Sequence, residues 1–305
     1  MQRKPKNPTI RAIEQFFIHI VVALLVIPLK YGSLHSIRRL AVCLAHIIAT
    51  FTWRRQRMME QNLIAVFGDE LTAKERKRIR RNCTINVSKT MLELMKLQWM
   101  SAEELLSLVE LNGVEHIDNA LAKGNGVIMV TAHYGNWEWG GACAAAMGYP
   151  TSVIARDAND PLTRELVNKA RESKGIRVFG RSDVRELLRA LKNNEMVAIL
   201  PDQHAKDAPV RVKFLGRVAD TASGPATLAM RTGAAVIPAF VTREPGDHLV
   251  AEILPPVEMQ DTGNREADIL ENVQRINDVL GDQIRKHPDQ WLWLHDRWKA
   301  ERFEL

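Results

Sequence analysis

The chain has 305 residues, 46% hydrophobic and 26% charged, enough apolar material for a large core and an ordinary balance that argues against disorder. Its formal net charge of +6 favours anionic partners: membrane phosphates, an acidic protein or nucleic acid. Cys43, Cys83 and Cys143 are far apart, with no CxxC and no Cys/His pair at zinc spacing, so they are read as inert thiols in a reducing compartment rather than as a disulfide framework or zinc site.

In chain order, Arg3, Lys4, Lys6 and Arg11 precede the first acid, Glu14, and an apolar run follows from Phe16 to Leu29, broken only by His19. Counted from Ala12, it makes a helix about 27 Å long at ~1.5 Å per residue, just short of the ~30 Å bilayer core. Pro28, Leu29, Lys30 and Tyr31 offer no good signal-peptide cleavage site. A membrane anchor with its basic end in the cytoplasm fits the charge asymmetry, and a buried core helix is the alternative. A second apolar helix, about Ile37 to Trp53, has Arg38 and Arg39 at its start and Arg54, Arg55 and Arg57 at its end. That pattern suits either an anionic membrane surface or a core helix with solvated ends. Beyond the turn at Gly68 and Asp69, Thr72 and Glu75 form a capping-box pattern before a basic helix carrying Lys74, Arg76, Lys77, Arg78, Arg80 and Arg81. Ser101 and Glu104 repeat the pattern for a short helix.

From about Glu110 the pattern changes to alternating elements. Strand-like runs fall at 127–130, 151–155, 176–179, 196–200, 235–241 and 248–254, and helical segments at 137–147, 162–173, 184–193 and 225–232. Such alternation predicts an α/β fold, a mostly parallel sheet flanked by helices and preceded by an N-terminal membrane-associating helical segment. A long helix, about Glu266 to Lys286, ends before His287-Pro288. The expected division is residues 1–60 as apolar and basic membrane-associating helices and 61–305 as the catalytic domain.

The chemistry concentrates at 127–141, VIMVTAHYGNWEWGG. A buried strand ends at Thr131, His133 follows, and Glu138 lies five residues further on. On one continuous helix His133 and Glu138 would point about 140° apart. Their cooperation therefore requires His133 on a turn and Glu138 in the first turn of the following helix. Gly135 and Asn136 are suitable turn and N-cap residues. Glu138 would then hold one ring nitrogen of His133 and leave the other to take a proton from an alcohol. Backbone N–H groups at the helix start would face an oxyanion. Without such cooperation, the pair is simply a His and a Glu at a strand–helix turn. No G-x-S-x-G elbow, dinucleotide loop or Walker A sequence is present, and no histidine elsewhere has metal spacing with a carboxylate.

These residues resemble those of the late acyltransferases of bacterial lipid A biosynthesis, the lauroyl/myristoyl transferase family within the larger glycerolipid acyltransferase group sharing H-x4-D/E. The resemblance runs through the N-terminal apolar helix; Asn62-Leu63 and Phe67; Thr131-Ala-His-Tyr-Gly-Asn-Trp-Glu138; Arg156; Pro201-Asp202-Gln203; Phe214-Leu-Gly216; Ser223-Gly-Pro225; and Ala235-Val-Ile-Pro238. The closing Gln290-Trp-Leu-Trp-Leu-His-Asp-Arg-Trp298 is the most specific stretch.

The resemblance implies transfer of a fatty acyl group from acyl carrier protein to a hydroxyl of a lipid A precursor at the cytoplasmic face of the bacterial inner membrane. The implied partners are acyl carrier protein, the lipid A precursor and inner-membrane phospholipid, with no cofactor, no metal and no nucleic acid. His133 would be the base, oriented and charge-balanced by Glu138. Arg156, after a strand end, is a candidate ligand for a lipid phosphate or thioester oxygen, or a surface ion-pair residue. Arg164 and Arg171 are further substrate-binding candidates or solvated helix residues. Asn136, Asp202 and Gln203 are candidates for shaping the acceptor site, Asp202 otherwise serving a Pro-Asp turn. Trp291, Trp293 and Trp298 read as packing residues. Two other functions fit the same residues: acylation of another glycolipid, such as a phosphatidylinositol mannoside, and non-catalytic binding of anionic lipid.

Overall fold

The computed structural model describes residues 26–154, 161–180, 182–206 and 209–299. Most of the first apolar run therefore lies outside the described residues, as does Arg156. Seven strands form one sheet in the order β1-β9-β8-β2-β5-β3-β4. They are β1 (Val109–Asn112), β2 (Val127–Val130), β3 (Thr151–Ile154), β4 (Arg177–Phe179), β5 (Met196–Ile199), β8 (Ala235–Arg243) and β9 (Leu249–Ile253). β8, β2, β5, β3 and β4 run parallel; β9 turns back antiparallel to β8, and β1 pairs parallel to β9. β2 and β5 are buried on both faces, the environment that continuous apolar runs such as VIMV specify.

Helices cover both faces. One face of the sheet packs on the C-terminal part of α3 (Ala73–Lys96), α4 (Ala102–Ser107), α5 (Glu115–Leu121), α6 (Trp137–Ala146) and α7 (Pro161–Glu172), while Ile79 and Cys83 of α3 join the core on the other face. The other carries α2 (Trp53–Phe67), α8 (Val184–Lys192), α9 (Gly224–Thr232) and the 22-residue α10 (Arg265–Lys286). The strand alternation decides which residues go to which layer: Met129 and Ala198 face the first, Val130 and Val197 the second. Met59, Leu63 and Phe67 of α2 sit within this second core.

Three strands lie outside the runs expected from sequence: β1, and the pair β6 (Val210–Phe214) and β7 (Arg217–Thr221), which form an antiparallel hairpin. Its signal was the alternation of Val210, Val212 and Phe214 with Arg211 and Lys213. Leu215 and Gly216 turn it with positive φ at both positions, as a tight two-residue hairpin requires.

α1 (Leu34–Phe51) rests on α3 through the single stripe Ile37, Ala41 and Ala45, while Ile47, Ile48 and Phe51 are exposed. It is a surface helix, and the core-helix alternative for this segment is set aside. The capping box at Thr72 is present, with Thr72 Oγ1 accepting from Glu75 N–H and Thr72 N–H donating to the Glu75 carboxylate. The basic face of α3 is divided. Arg76 and Arg80 pair with Glu60 of α2, whereas Lys74, Lys77, Arg78 and Arg81 are exposed.

Candidate active site

Two neighbouring parallel strands build the site. Val130 is the register partner of Ile199, and Thr131 N–H continues the ladder to Ile199 O at 3.2 Å. Both chains leave the sheet at the same edge, and each delivers its polar residue three positions later: His133 after β2 and Asp202 after β5. In an open α/β sheet this carboxyl edge is where ligands bind.

The pair is closely made. His133 Nδ1 lies 2.8 Å from Asp202 Oδ1, and the His133 backbone N–H donates to Oδ2 at 2.9 Å. The Trp291 indole N–H donates to the same Oδ2 at 2.8 Å, so a residue read only as packing also supports the carboxylate. Asp202 is buried, and burial alone would raise its carboxyl pKa. The His133 charge and these hydrogen bonds win, holding it down at about 2. Burial works in the opposite sense on His133, lowering its pKa. The Asp202 charge and hydrogen bond, with a smaller contribution from Glu138 and against Arg171, outweigh it and raise His133 above 6.5. A carboxylate that only accepts makes Nδ1 the protonated nitrogen. Nε2 then presents its lone pair, 3.4 Å from the Gln203 side-chain amide nitrogen.

The turn after His133 is held from three directions. Gly135 N–H donates to Gln290 O, Leu292 N–H to His133 O, and Asn136 N–H to Val241 O. From α3, Asn86 Nδ2 and Thr90 Oγ1 both donate to Gly135 O. Gly135 has φ +56°, and a Cβ there would stand 1.9 Å from Val241 O, so only glycine fits. Asn136 is the N-cap of α6, its Oδ1 accepting from Trp139 N–H at 3.2 Å. The expected turn and cap are therefore present, and the His133 ring packs 5.4 Å from the Trp137 ring.

The hydrogen bond expected from Glu138 to His133 is not the one the fold makes; Asp202 occupies that position. Glu138 instead receives Arg171 Nη2 at 2.6 Å and Nε at 2.9 Å, a two-pronged pair, and the Trp137 indole N–H at 3.1 Å. The carboxylate and guanidinium side chains are 7% and 16% exposed. Arg171, from α7, takes one acceptor position on each oxygen of Glu138 and so turns the carboxylate toward the guanidinium. Arg171, from sequence a substrate-binding candidate or a solvated helix residue, is thus a fixed part of the site through Glu138.

Above these residues opens a cavity of about 830 Å³. Its lining includes the polar side chains of His133, Glu138, Gln203, Arg164 and Arg171 together with the apolar Ile117, Met129, Ala144, Ala198 and Ile253. Its size and lining suit a long apolar ligand with one polar end. Among the described residues no cluster of His, Cys, Asp or Glu is arranged to hold a metal.

Behind the site, His295 Nε2 accepts from His204 N–H at 2.9 Å, and burial pushes its pKa down to about 4. Trp291, Trp293, Trp298 and Phe214 pack against one another with ring separations from 4.7 to 6.4 Å.

The family profile of the bacterial lipid A biosynthesis acyltransferases matches residues 3–300. The chain is 26% identical to the lipid A biosynthesis lauroyltransferase of Escherichia coli over 292 residues, covering 93% of this chain and 91% of that one. It is 28% identical over 220 residues to a phosphatidylinositol mannoside acyltransferase of Mycobacterium tuberculosis, covering 70% and 67%. Among solved structures, the 1-acyl-sn-glycerophosphate acyltransferase of Thermotoga maritima is similar at 15% identity with a TM-score of 0.39, covering 85% of this chain and all of that one.

Proposed function

The chain belongs to the bacterial lipid A biosynthesis acyltransferase family, and from that premise we propose that it moves a fatty acyl group from acyl carrier protein to a hydroxyl of a lipid A precursor. The observation that carries this reading is an imidazole tied at Nδ1 to Asp202, with its other nitrogen on a largely apolar cavity. His133 Nε2 takes the proton of the acceptor hydroxyl as that oxygen attacks the thioester carbonyl. The carbon–sulfur bond then breaks, and the departing thiolate receives the proton held by His133. Asp202 keeps the tautomer and stabilises the transient imidazolium. Glu138 adds negative charge near the ring. The start of α6 supplies the positive end of a helix dipole to the developing oxyanion. The acyl chain lies along the apolar lining of the cavity, and Arg164, Arg156 and Gln203 serve the polar end of the substrates.

In this reading residues 1–60 hold the enzyme at the cytoplasmic face of the inner membrane and 61–305 carry catalysis. The apolar span of α1 and its exposed Ile47, Ile48 and Phe51 support that placement. Acylation of a phosphatidylinositol mannoside is the second reading, favoured by the similarity to the mycobacterial enzyme. The longer alignment with the lauroyltransferase supports lipid A as the first reading. The test pairs an acyl carrier protein thioester assay on a lipid A precursor with mass spectrometry of lipid A from cells lacking the protein. His133→Ala is expected to lower turnover by ~10²–10⁴-fold. Near wild-type turnover by a folded His133→Ala protein would overturn the base assignment, and an unchanged lipid A mass would overturn the acceptor.

A further inference from the structure

The carboxylate of Glu93, on α3, is fully buried and takes no part in the chemistry just described. Its two oxygens receive four donors: Arg38 Nε at 2.5 Å, Arg243 Nη1 at 3.1 Å, Arg243 Nη2 at 2.6 Å and Asn136 Nδ2 at 2.7 Å. A carboxylate offers about four acceptor positions, so Glu93 has none to spare. The donors come from three separate places. Arg38 is in the second turn of α1, Arg243 ends β8, and Asn136 is the N-cap of α6, three residues beyond His133.

The Asn136 contact has a directional consequence. Glu93 can only accept, so the amide nitrogen of Asn136 must face it and the amide oxygen must face the other way. That oxygen is the atom that caps Trp139 N–H. An asparagine turned over would present N–H to N–H at the helix start and leave α6 uncapped. Glu93 therefore selects the Asn136 orientation that starts the helix bearing Glu138, and it does so beside the turn bearing His133.

Arg38 ties the same carboxylate to α1. Lys96, one helical turn beyond Glu93 and also buried, reaches the carbonyls of Lys30 and Gly32 just before α1. The start of α1 is thus pinned to the C-terminal part of α3 by two charged residues. The opposite, exposed face of α1 carries Ile47, Ile48 and Phe51. Nearer the chemistry, α3 holds the turn through Asn86, Thr90 and Glu93.

We propose that Glu93 is a positioning residue for the His133 turn, and that its ion pair with Arg38 makes the seating of α1 part of the active-site geometry. Losing Arg38 frees one acceptor position on Glu93, allows the carboxylate to rotate, and loosens the Asn136 amide. Because small displacements at a reacting centre cost up to about 10²-fold, the defect is expected in kcat. Neither residue lines the cavity, so KM should not move.

The inference rests on the acyltransferase reading, so wild-type protein with acyl carrier protein thioester and lipid A precursor is the control; no turnover there refutes that reading. With an active wild type, Arg38→Ala in the full-length membrane-reconstituted protein should lower kcat at least tenfold. KM for both substrates should stay within twofold and the melting temperature near wild type. Arg38→Lys should recover most of the loss, since an ammonium still reaches Glu93. Arg38→Met keeps the apolar side-chain stem but offers no donor to Glu93, and should reproduce the alanine defect even if Arg38→Ala folds poorly. Asn136→Ala should lower kcat as well, and the Arg38→Ala/Asn136→Ala double variant should be no worse than about the weaker single. Wild-type kcat in folded Arg38→Met, or independent multiplication of the two losses, would overturn the proposal.

Discussion

Replacing Asp202 by asparagine tests the site by changing little besides one proton. Asp202 Oδ2 accepts from both His133 N–H and the Trp291 indole, while Oδ1 faces His133 Nδ1. An asparagine has a single oxygen, which goes where two donors converge, and its NH2 is left against Nδ1. His133 must then accept at Nδ1 and carry its hydrogen on Nε2, where no lone pair remains for the acceptor hydroxyl. The comparable substitution in serine proteases, whose figure we borrow, costs about 10⁴ in kcat. General-base losses span ~10²–10⁴, so we expect about 10³, or roughly 4 kcal/mol at 1.36 kcal/mol per decade.

The pH profile supplies a second sign. In the wild type the raised His133 pKa puts the acidic limb of kcat/KM above pH 6.5. Without the Asp202 charge, burial dominates and the residual limb moves to lower pH. The pair also contributes to stability: the His133 part is complete below pH 6.5 and fades as pH rises through its raised pKa. The Asp202 part is complete above its ordinary 3.8 and fades towards 2. The melting-temperature gap between wild type and Asp202→Asn should therefore be widest between about pH 4 and 6.5. Single-turnover acyl transfer with labelled precursor measures the rate. A folded Asp202→Asn enzyme within threefold of wild type, with its acidic limb unmoved, would refute the tautomer argument.

Three further outcomes follow from the same geometry. Arg171→Met leaves the Glu138 carboxylate buried without its partner and should lower unfolding free energy by ~3–5 kcal/mol. Denaturant titration checks this, and Arg171→Met/Glu138→Gln should regain part of the loss. Gly135→Ala drives a Cβ against Val241 O and forces an unfavourable φ costing of order 1–3 kcal/mol, so turnover should fall with the displaced His133 even where circular dichroism shows a folded chain. Ala144→Phe adds a ring to the apolar lining of the cavity and should shorten the preferred acyl chain, read by mass spectrometry of products formed from mixed-length donors.

Local pattern in the chain determined the existence of most elements and the location of the chemistry. The continuous run VIMV specifies a strand buried on both faces, the Thr72–Glu75 pair starts α3, and Gly135-Asn136 places a turn and cap immediately after His133. Each of these depends on residues a few positions apart, so sequence alone carries them. The hairpin β6–β7 also carries a local signal, the alternation of Val210, Val212 and Phe214 with Arg211 and Lys213.

Tertiary structure decided the partners. Asp202 reaches His133 because β2 and β5 pair in register across 69 positions of chain, a long-range choice that sequence spacing does not encode. The i, i+5 spacing drew attention to Glu138 as the orienting acid, but Arg171, delivered by α7, claims both of its oxygens. Trp291 supports Asp202, and Glu93 orients Asn136, for the same reason: charge pairing and hydrogen-bond satisfaction in a buried site are settled only after the layers have packed. The HYGNWE stretch thus supplies the base and its turn, and the surrounding fold assigns the acid that holds it.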